Sequence, residues 1–240
     1  MITYSLFTDA GGREINEDYV KAVEKDGNYC FILCDGLGGH GKGDEASSLV
    51  AENMADCFLK FGTDGDYIAK ALEISNDLLM QEQKSRNSLA QMKTTIVVLT
   101  IINNVARWGF IGDSRLYRFH KSRLIERTVD HSVPQMLVLL KEIKEKEIRF
   151  HPDRNRLLKV MGTKWDSEPY EISEPFEIKK DTLFILCSDG FWEFIDEKTM
   201  KKMLRRREDP EILIKKMTEE VVENGKNSEM DNFSVIIVNA

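Results

Sequence analysis

The sequence predicts an α+β protein: antiparallel sheets with helices packed on their faces. Two features predict it. Strand-like runs come in close succession, above all between residues 94 and 128, where only turn residues such as Asn103-Asn104 and Lys121-Ser122 separate them. Connections that short suit hairpins rather than parallel crossovers. Helical periodicity then fills whole blocks between the strand groups, so strands do not alternate singly with helices as in a doubly wound parallel sheet. No fixed-period repeat, low-complexity tract or linker interrupts residues 1–240, and one domain is expected.

In chain order, ITYSLFTD (2–9) alternates polar and apolar residues as a strand does. The turn-rich AGGREINED (10–18) leads to two further strand candidates, YVKAVEK (19–25) and YCFILCD (29–35). Ala46, Leu49, Val50, Met54, Cys57, Phe58 and Phe61 recur at helical spacing, with Asp44 expected to cap the start. A second helix is expected from Asp66 to Lys84, with Ile68, Ala71, Leu72, Ile74, Leu78 and Leu79 facing inward. TTIVVLTII, VARWGFIG, RLYRFH and RLIERT read as four strands rich in β-branched and aromatic residues. Residues 133–149 read as a charged helix whose KEIKEKEIR run is a solvated face. Two strands in 176–190, helices near 196–206 and 210–223, and a final strand NFSVIIVNA complete the chain.

With 42% hydrophobic and 31% charged residues among 240, the composition is that of an ordinary globular chain. No apolar run reaches the roughly 18 residues of a membrane span, and the N-terminal segment lacks the basic-then-apolar pattern of a secretory signal. A net charge of −7 argues against a nucleic-acid partner. Cys30, Cys34, Cys57 and Cys187 form no C-x-x-C pair, and three of them sit inside apolar runs, so neither a zinc site nor disulfides are expected and the cytoplasm is the expected location.

Three buried-looking runs end on an acid: FILCD at Asp35, FIGD at Asp113 and FILCSD at Asp189. A carboxylate at the edge of an apolar core is costly unless a cation compensates it. Asp-Gly is a common turn dipeptide, and any single case needs no more than a turn. Three such ends, with Glu17-Asp18 and Asp231-Asn232 in addition, exceed what turns account for. Hard divalent cations take oxygen ligands of this kind, and glycine after Asp35 and Asp189 lets backbone approach an ion. Two such ions about 3.5–4 Å apart are a standard arrangement for phosphoester hydrolysis. Arg13 is the candidate phosphate clamp, because guanidinium matches phosphate oxygens with two parallel bonds.

Eight segments, in order and across nearly the whole chain, resemble the protein phosphatase 2C family, and in particular its compact bacterial branch: TDAGGREINED (8–18), LCDGLGGHGKGDEAS (33–47), KTTIVVL (93–99), GDSRLY (112–117), TVDHS (128–132), HPDRNRLLKVMG (151–162), LCSDGFWEFI (186–195) and MDNFSVIIV (230–238). The resemblance implies a four-layer α-β-β-α sandwich and metal-dependent hydrolysis of phosphoserine and phosphothreonine in proteins by metal-activated water. It implies two Mg²⁺ or Mn²⁺ ions: Asp35 bridging them with the Gly36 carbonyl on one, and Asp189 and Asp231 on the other. Asp113, with Asp189, would serve a third, weaker ion. Glu17 and Asp18 would hold metal-coordinated waters, Arg13 would clamp the phosphate, and Asn232 would support its neighbours. His40, Ser114 and His131 are further candidate substrate contacts. Residues 133–161 correspond to a flap that touches substrate. Phosphorylated proteins, a cognate serine/threonine kinase and a monomeric state are the partners implied.

The sequence departs from the family at two places. Leu37 stands where many eukaryotic members have a histidine proposed as general acid, a branch marker that leaves the leaving-group proton to a metal-coordinated water. Lys93 replaces the common glycine before Thr94-Thr95. A different class of reading is a catalytically silent relative that binds or scaffolds phosphoproteins; loss of Asp35, Asp189 or Asp231 would mark it, and all three are present. A two-metal nuclease is a third reading, opposed by net acidity and the lack of a basic, aromatic-lined stripe.

Overall fold

The computed structural model describes residues 2–37, 42–62, 65–88 and 91–240. Each long apolar strand has two dry faces, which is why its sequence runs apolar without alternating. Strands β1 (Thr3–Asp9), β7 (Arg115–His120), β8 (Arg123–Arg127), β11 (Thr182–Cys187) and β12 (Phe233–Asn239) form one sheet in the order β1-β12-β11-β7-β8. The second sheet runs β10-β6-β5-β3-β2, from β2 (Asp18–Lys25), β3 (Asn28–Leu37), β5 (Ile96–Ile102), β6 (Val105–Ile111) and β10 (Phe176–Glu177). Short β4 (Lys93–Thr94) pairs with β3, and β9 (Glu171–Ile172) with β6. Every pairing is antiparallel.

Side-chain parity sorts the strands into layers. Phe31, Leu33, Val97 and Leu99 of one sheet meet Leu116, Phe184, Leu186, Ile236 and Val238 of the other. On the outer side of the first group, Cys30, Ile32, Cys34, Ile96 and Val98 pack under helices α1 (Gly43–Phe61) and α2 (Tyr67–Ser85). On the other outer side, Tyr117, Ile185, Cys187, Val235 and Ile237 pack under α4 (Asp189–Trp192), α5 (Glu197–Leu204) and α6 (Pro210–Gly225). The order helix, sheet, sheet, helix is therefore the four-layer sandwich expected. Among the described residues no helix is long and apolar enough to cross a membrane.

Three local expectations need correction. The helix expected over 133–149 stops early: α3 covers Val133–Leu139, Lys141 turns to φ 63, and Glu145–Phe150 forms a 3-10 turn. Asp44 does not cap α1; it lies in the first turn after Lys42, where its charge still meets the positive helix end. Ile74 is exposed on the outer face of α2, and Ser75 and Asn76 take the inner positions instead.

Candidate active site

The parity that builds the inter-sheet core also delivers its acids. Val20, Ala22, Phe31 and Leu33 point between the sheets, and two residues further along each strand stand Asp18 and Asp35, paired directly across β2 and β3. Ser188 and Ser234 extend the inner faces of β11 and β12 in the same way. Asp113 precedes β7, Asp231 precedes β12, and Asp189 opens α4 immediately after β11. One end of the sandwich thus closes on carboxylates rather than on apolar groups. A cleft of about 210 Å³ there is lined by Arg13, Glu17, Asp35, Gly36, Asp113, Asp189 and Asp231, together with Leu37, Asn155 and Leu157.

These acids are starved of positive charge. Burial, and then the neighbouring Asp189, Asp18, Asp113 and Asp231, push the Asp35 carboxyl well above its usual range. Burial raises Asp113 in the same way, with Asp189 and Asp130 adding repulsion. Asp18 is raised to about 7, again chiefly by burial, against the hydrogen bond from the Ser188 hydroxyl. Asp189 rises to about 6 through burial and then Asp231, while bonds from the Gly190 amide and the Asp35 carboxyl hold it down. Glu17 is raised by burial and by Asp44 and Asp231.

The supporting bonds are specific. Ser188 Oγ donates to Asp18 Oδ2 at 2.7 Å and accepts the Ser234 amide at 2.9 Å, while buried Asp18 Oδ1 has no hydrogen-bond partner. Asn232 staples the 10–17 loop: its Oδ1 accepts the Glu17 amide, and its Nδ2 donates to the Ala10 and Ile15 carbonyls. Arg13, half-exposed, donates to Asp231 Oδ2 at 2.9 Å. A Cβ at Gly36 would lie 2.2 Å from the Gly43 carbonyl oxygen, and one at Gly190 2.2 Å from that of Asn232, so both turns require glycine.

The donor set fits hard divalent cations: all oxygen, mostly carboxylate, with an orphaned buried oxygen on Asp18. Among the described residues, no three His, Cys, Asp or Glu side chains are yet drawn tightly enough together to hold an ion.

Not every expected contact reaches the cleft. Ser114 is buried with its hydroxyl 2.7 Å from that of Thr95. His131 is buried too; it stacks on Phe110, accepts the Gly112 amide at Nδ1 and faces Glu171 through Nε2, and burial lowers its pKa. Neither lines the cleft. His40 lies outside the described residues. Behind Asp113, the fully paired Arg115 was not anticipated: it forks onto Asp130 at 2.9 and 2.6 Å and lies 3.5 Å over the Trp192 ring, whose Nε1 donates to the Asp113 carbonyl. Asn155, Leu157 and the Arg154–Glu193 pair at the mouth were also missed, although HPDRNRLLKVMG and LCSDGFWEFI flagged their segments.

This geometry has close counterparts. The family model for protein phosphatase 2C matches residues 11–232. The serine/threonine phosphatase stp of Listeria welshimeri is 30% identical over 243 residues, covering 96% of this chain and 93% of its own length. Protein phosphatase PhpP of Streptococcus pneumoniae is 29% identical, with coverage of 98% and 96%. The crystal structure of serine/threonine phosphatase Stp1 from Staphylococcus aureus superposes with a TM-score of 0.87 at 26% identity, over 100% of this chain and 95% of that one. A sandwich whose open end is ringed by acids, together with a match over most of its length, defines a metal-dependent phosphatase fold. The chain belongs to the protein phosphatase 2C family, in its bacterial branch.

Proposed function

We propose that the acidic cleft is the catalytic site and that residues 1–240 act as one catalytic domain. The chain is a metal-dependent serine/threonine protein phosphatase, a hydrolase of phosphoric monoesters that depends on Mg²⁺ or Mn²⁺. One observation carries the assignment of the site. Asp35, Asp113, Asp189 and Asp231 come from separate segments to one cleft, with buried Asp18 paired beside Asp35, and among the described residues the only cationic side chain bonded to any of the five is Arg13, on Asp231. The silent-scaffold reading finds no support, because Asp35, Asp189 and Asp231 are all present and face the cleft.

In this reading Asp35, Asp189 and Asp231 would hold two ions with the Gly36 carbonyl, and Asp113 with Asp189 would serve a third; ions there would activate water and offset charge on the phosphoryl oxygens. The chain's own groups do the rest. Asp18 and Glu17 orient water at the cleft floor, Asp18 being fixed by the Ser188 hydroxyl and Glu17 by the Gly43 amide. Arg13 leaves Asp231 to place two N–H groups on the phosphate, on a loop kept in position by Asn232. Residues 133–161 form the flap over the cleft, through Asn155 and Leu157. Phosphoproteins are the substrates; a cognate kinase, a monomeric state and residence in the cytoplasm complete the proposal.

Turnover of p-nitrophenyl phosphate with Mn²⁺, with and without chelator, tests the site. Chelation should abolish it, and Asp189→Ala should lower kcat/KM by about a thousandfold. Turnover indifferent to both would remove the cleft from the chemistry.

A further inference from the structure

The segment TVDHS (128–132) contributes nothing to the cleft lining, yet it braces the turn that carries Asp113. That turn, residues 112–114, joins β6 to β7. Gly112 opens it at φ 108, and a Cβ there would lie 2.6 Å from the Thr95 side chain, so the chain leaves the strand ladder at a glycine. Three consecutive peptide groups are then bonded from outside the ladder. The Gly112 amide donates to His131 Nδ1 at 3.2 Å, the Gly112 carbonyl accepts the His131 amide at 2.9 Å, and the Asp113 carbonyl accepts Trp192 Nε1 at 3.0 Å. Both braces are themselves fixed. The His131 ring stacks on Phe110 at 4.9 Å and meets Glu171 of β9 through Nε2. Trp192 is buried with the Arg115 guanidinium 3.5 Å over its ring, and Arg115 forks onto Asp130, the residue before His131.

We infer that His131 and Trp192 are positioning residues for Asp113: they pin the peptide groups on either side of it and so hold its carboxyl in the cleft with Asp189. The inference rests on the reading of Asp113 and Asp189 as holders of an ion, and adds the residues that space them. The direction of a side chain follows from the two peptide planes that flank its Cα. For Asp113, one of those planes is bonded to His131 and the other to Trp192. The His131 ring holds the plane before them, which fixes the unusual φ of Gly112. Trp192 stands three residues after Asp189 in α4, so the bond that fixes one acid comes from the helix that carries the other. Asp113 is buried and repelled by Asp189, and a carboxyl free to turn would move away from that like charge. The two braces oppose such a turn with no cation in place. Neither lines the cleft, so both act through Asp113 and not on substrate.

The test is a calorimetric Mn²⁺ titration of native protein, Asp113→Ala, His131→Ala, His131→Asn, Trp192→Phe and the Asp113→Ala/His131→Ala double variant. Asp113→Ala should remove the weakest ion. His131→Ala and Trp192→Phe should weaken that same ion by about tenfold and the tighter ions by less than about twofold. His131→Asn should stay within about threefold of native, because its side-chain oxygen can accept the Gly112 amide where Nδ1 did. In the double variant His131→Ala should add nothing to Asp113→Ala. On p-nitrophenyl phosphate the two weakened variants should lose kcat and keep KM within about twofold. Should His131→Ala not fold, Trp192→Phe carries the comparison, since it keeps an aromatic ring under Arg115 and removes the Nε1 donor. Unchanged affinity, weakening of all ions alike, an asparagine as damaging as alanine, or a further loss in the double variant would each overturn the positioning role and leave the phosphatase reading intact. If Asp113→Ala itself leaves Mn²⁺ binding untouched, Asp113 holds no ion, and that part of the reading fails together with the inference.

Discussion

Asp130 and Asp18 are almost equally buried, at 5% and 6% exposure, yet the chain treats them differently. Asp130 receives Arg115 through two bonds, and Arg127 at 3.0 Å. Asp18 receives one serine hydroxyl and keeps an oxygen with no partner, beside half-buried Asp35 and Asp189. A buried carboxylate matched by arginine is a structural element, closed within the polypeptide. One left beside other carboxylates can be balanced only by protons or by a cation from solution. The difference separates scaffold from site more sharply than burial or residue type does, and it can be attacked from either side.

The largest effect should come from breaking the paired region. Arg115→Ala leaves Asp130 without its forked partner and removes the cation over Trp192; it should cost about 3–5 kcal/mol in urea unfolding. In the same assay with chelator, Asp18→Asn should cost less than about 1 kcal/mol, since the amide oxygen keeps the Ser188 bond and leaves no charge to bury. Similar costs at both positions would erase the distinction.

Next in size is the response to pH. Asp18 at about 7, Asp189 at about 6 and Glu193, raised by burial and by Asp189 to about 7, all hold protons in the folded chain that the unfolded chain has released. Stability with chelator is therefore greatest near pH 4 to 5 and falls, by a few kcal/mol, as pH rises through about 7. Asp35 and Asp113 act in the same direction. His131, whose burial lowers its pKa, gains stability up to pH 6.5 and offsets a small part of the loss. Saturating Mn²⁺ should flatten the curve, because the ion replaces the protons. Melting temperatures from pH 4.5 to 8, with and without Mn²⁺, give the comparison; a chelated protein that gains stability across that range would contradict the account.

The smallest effect concerns the one cation that joins the two regions' logic. Arg13 bonds Asp231 at 2.9 Å from an exposed loop, so it can exchange one anion for another. Arg13→Ala should raise KM for p-nitrophenyl phosphate about tenfold and lower kcat by less. An unchanged KM would take Arg13 out of phosphate binding.

Much of this was legible in the order of residues, and the physical reason is parity. FILCD and FILCSD announce strands dry on both faces that end in acids, and the family segments carry the cleft residues Arg13, Glu17, Asp35, Asp113, Asp189 and Asp231. What a one-dimensional reading could not supply was register. Asp18 stands opposite Asp35 only once β2 and β3 are paired, and Asp130 meets Arg115, fifteen residues away, only across the β7-β8 hairpin. Glu193 was missed because α4 is four residues long, too short for periodicity to show that it shares a face with Asp189. The 133–149 segment read as one helix because its charges mask the turn at Lys141. His131 and Ser114, read as candidate substrate contacts, are buried against Phe110, Glu171 and Thr95.

The most direct test is a calorimetric titration of metal-free protein with Mn²⁺ at pH 6, in two buffers of different ionisation enthalpy. If protons now occupy the place of cations among Asp18, Asp35, Asp113 and Asp189, binding must release at least about one proton per protein, and Asp189→Ala must weaken binding about tenfold or more. Manganese that fails to bind, or binds with no release of protons, would contradict the account.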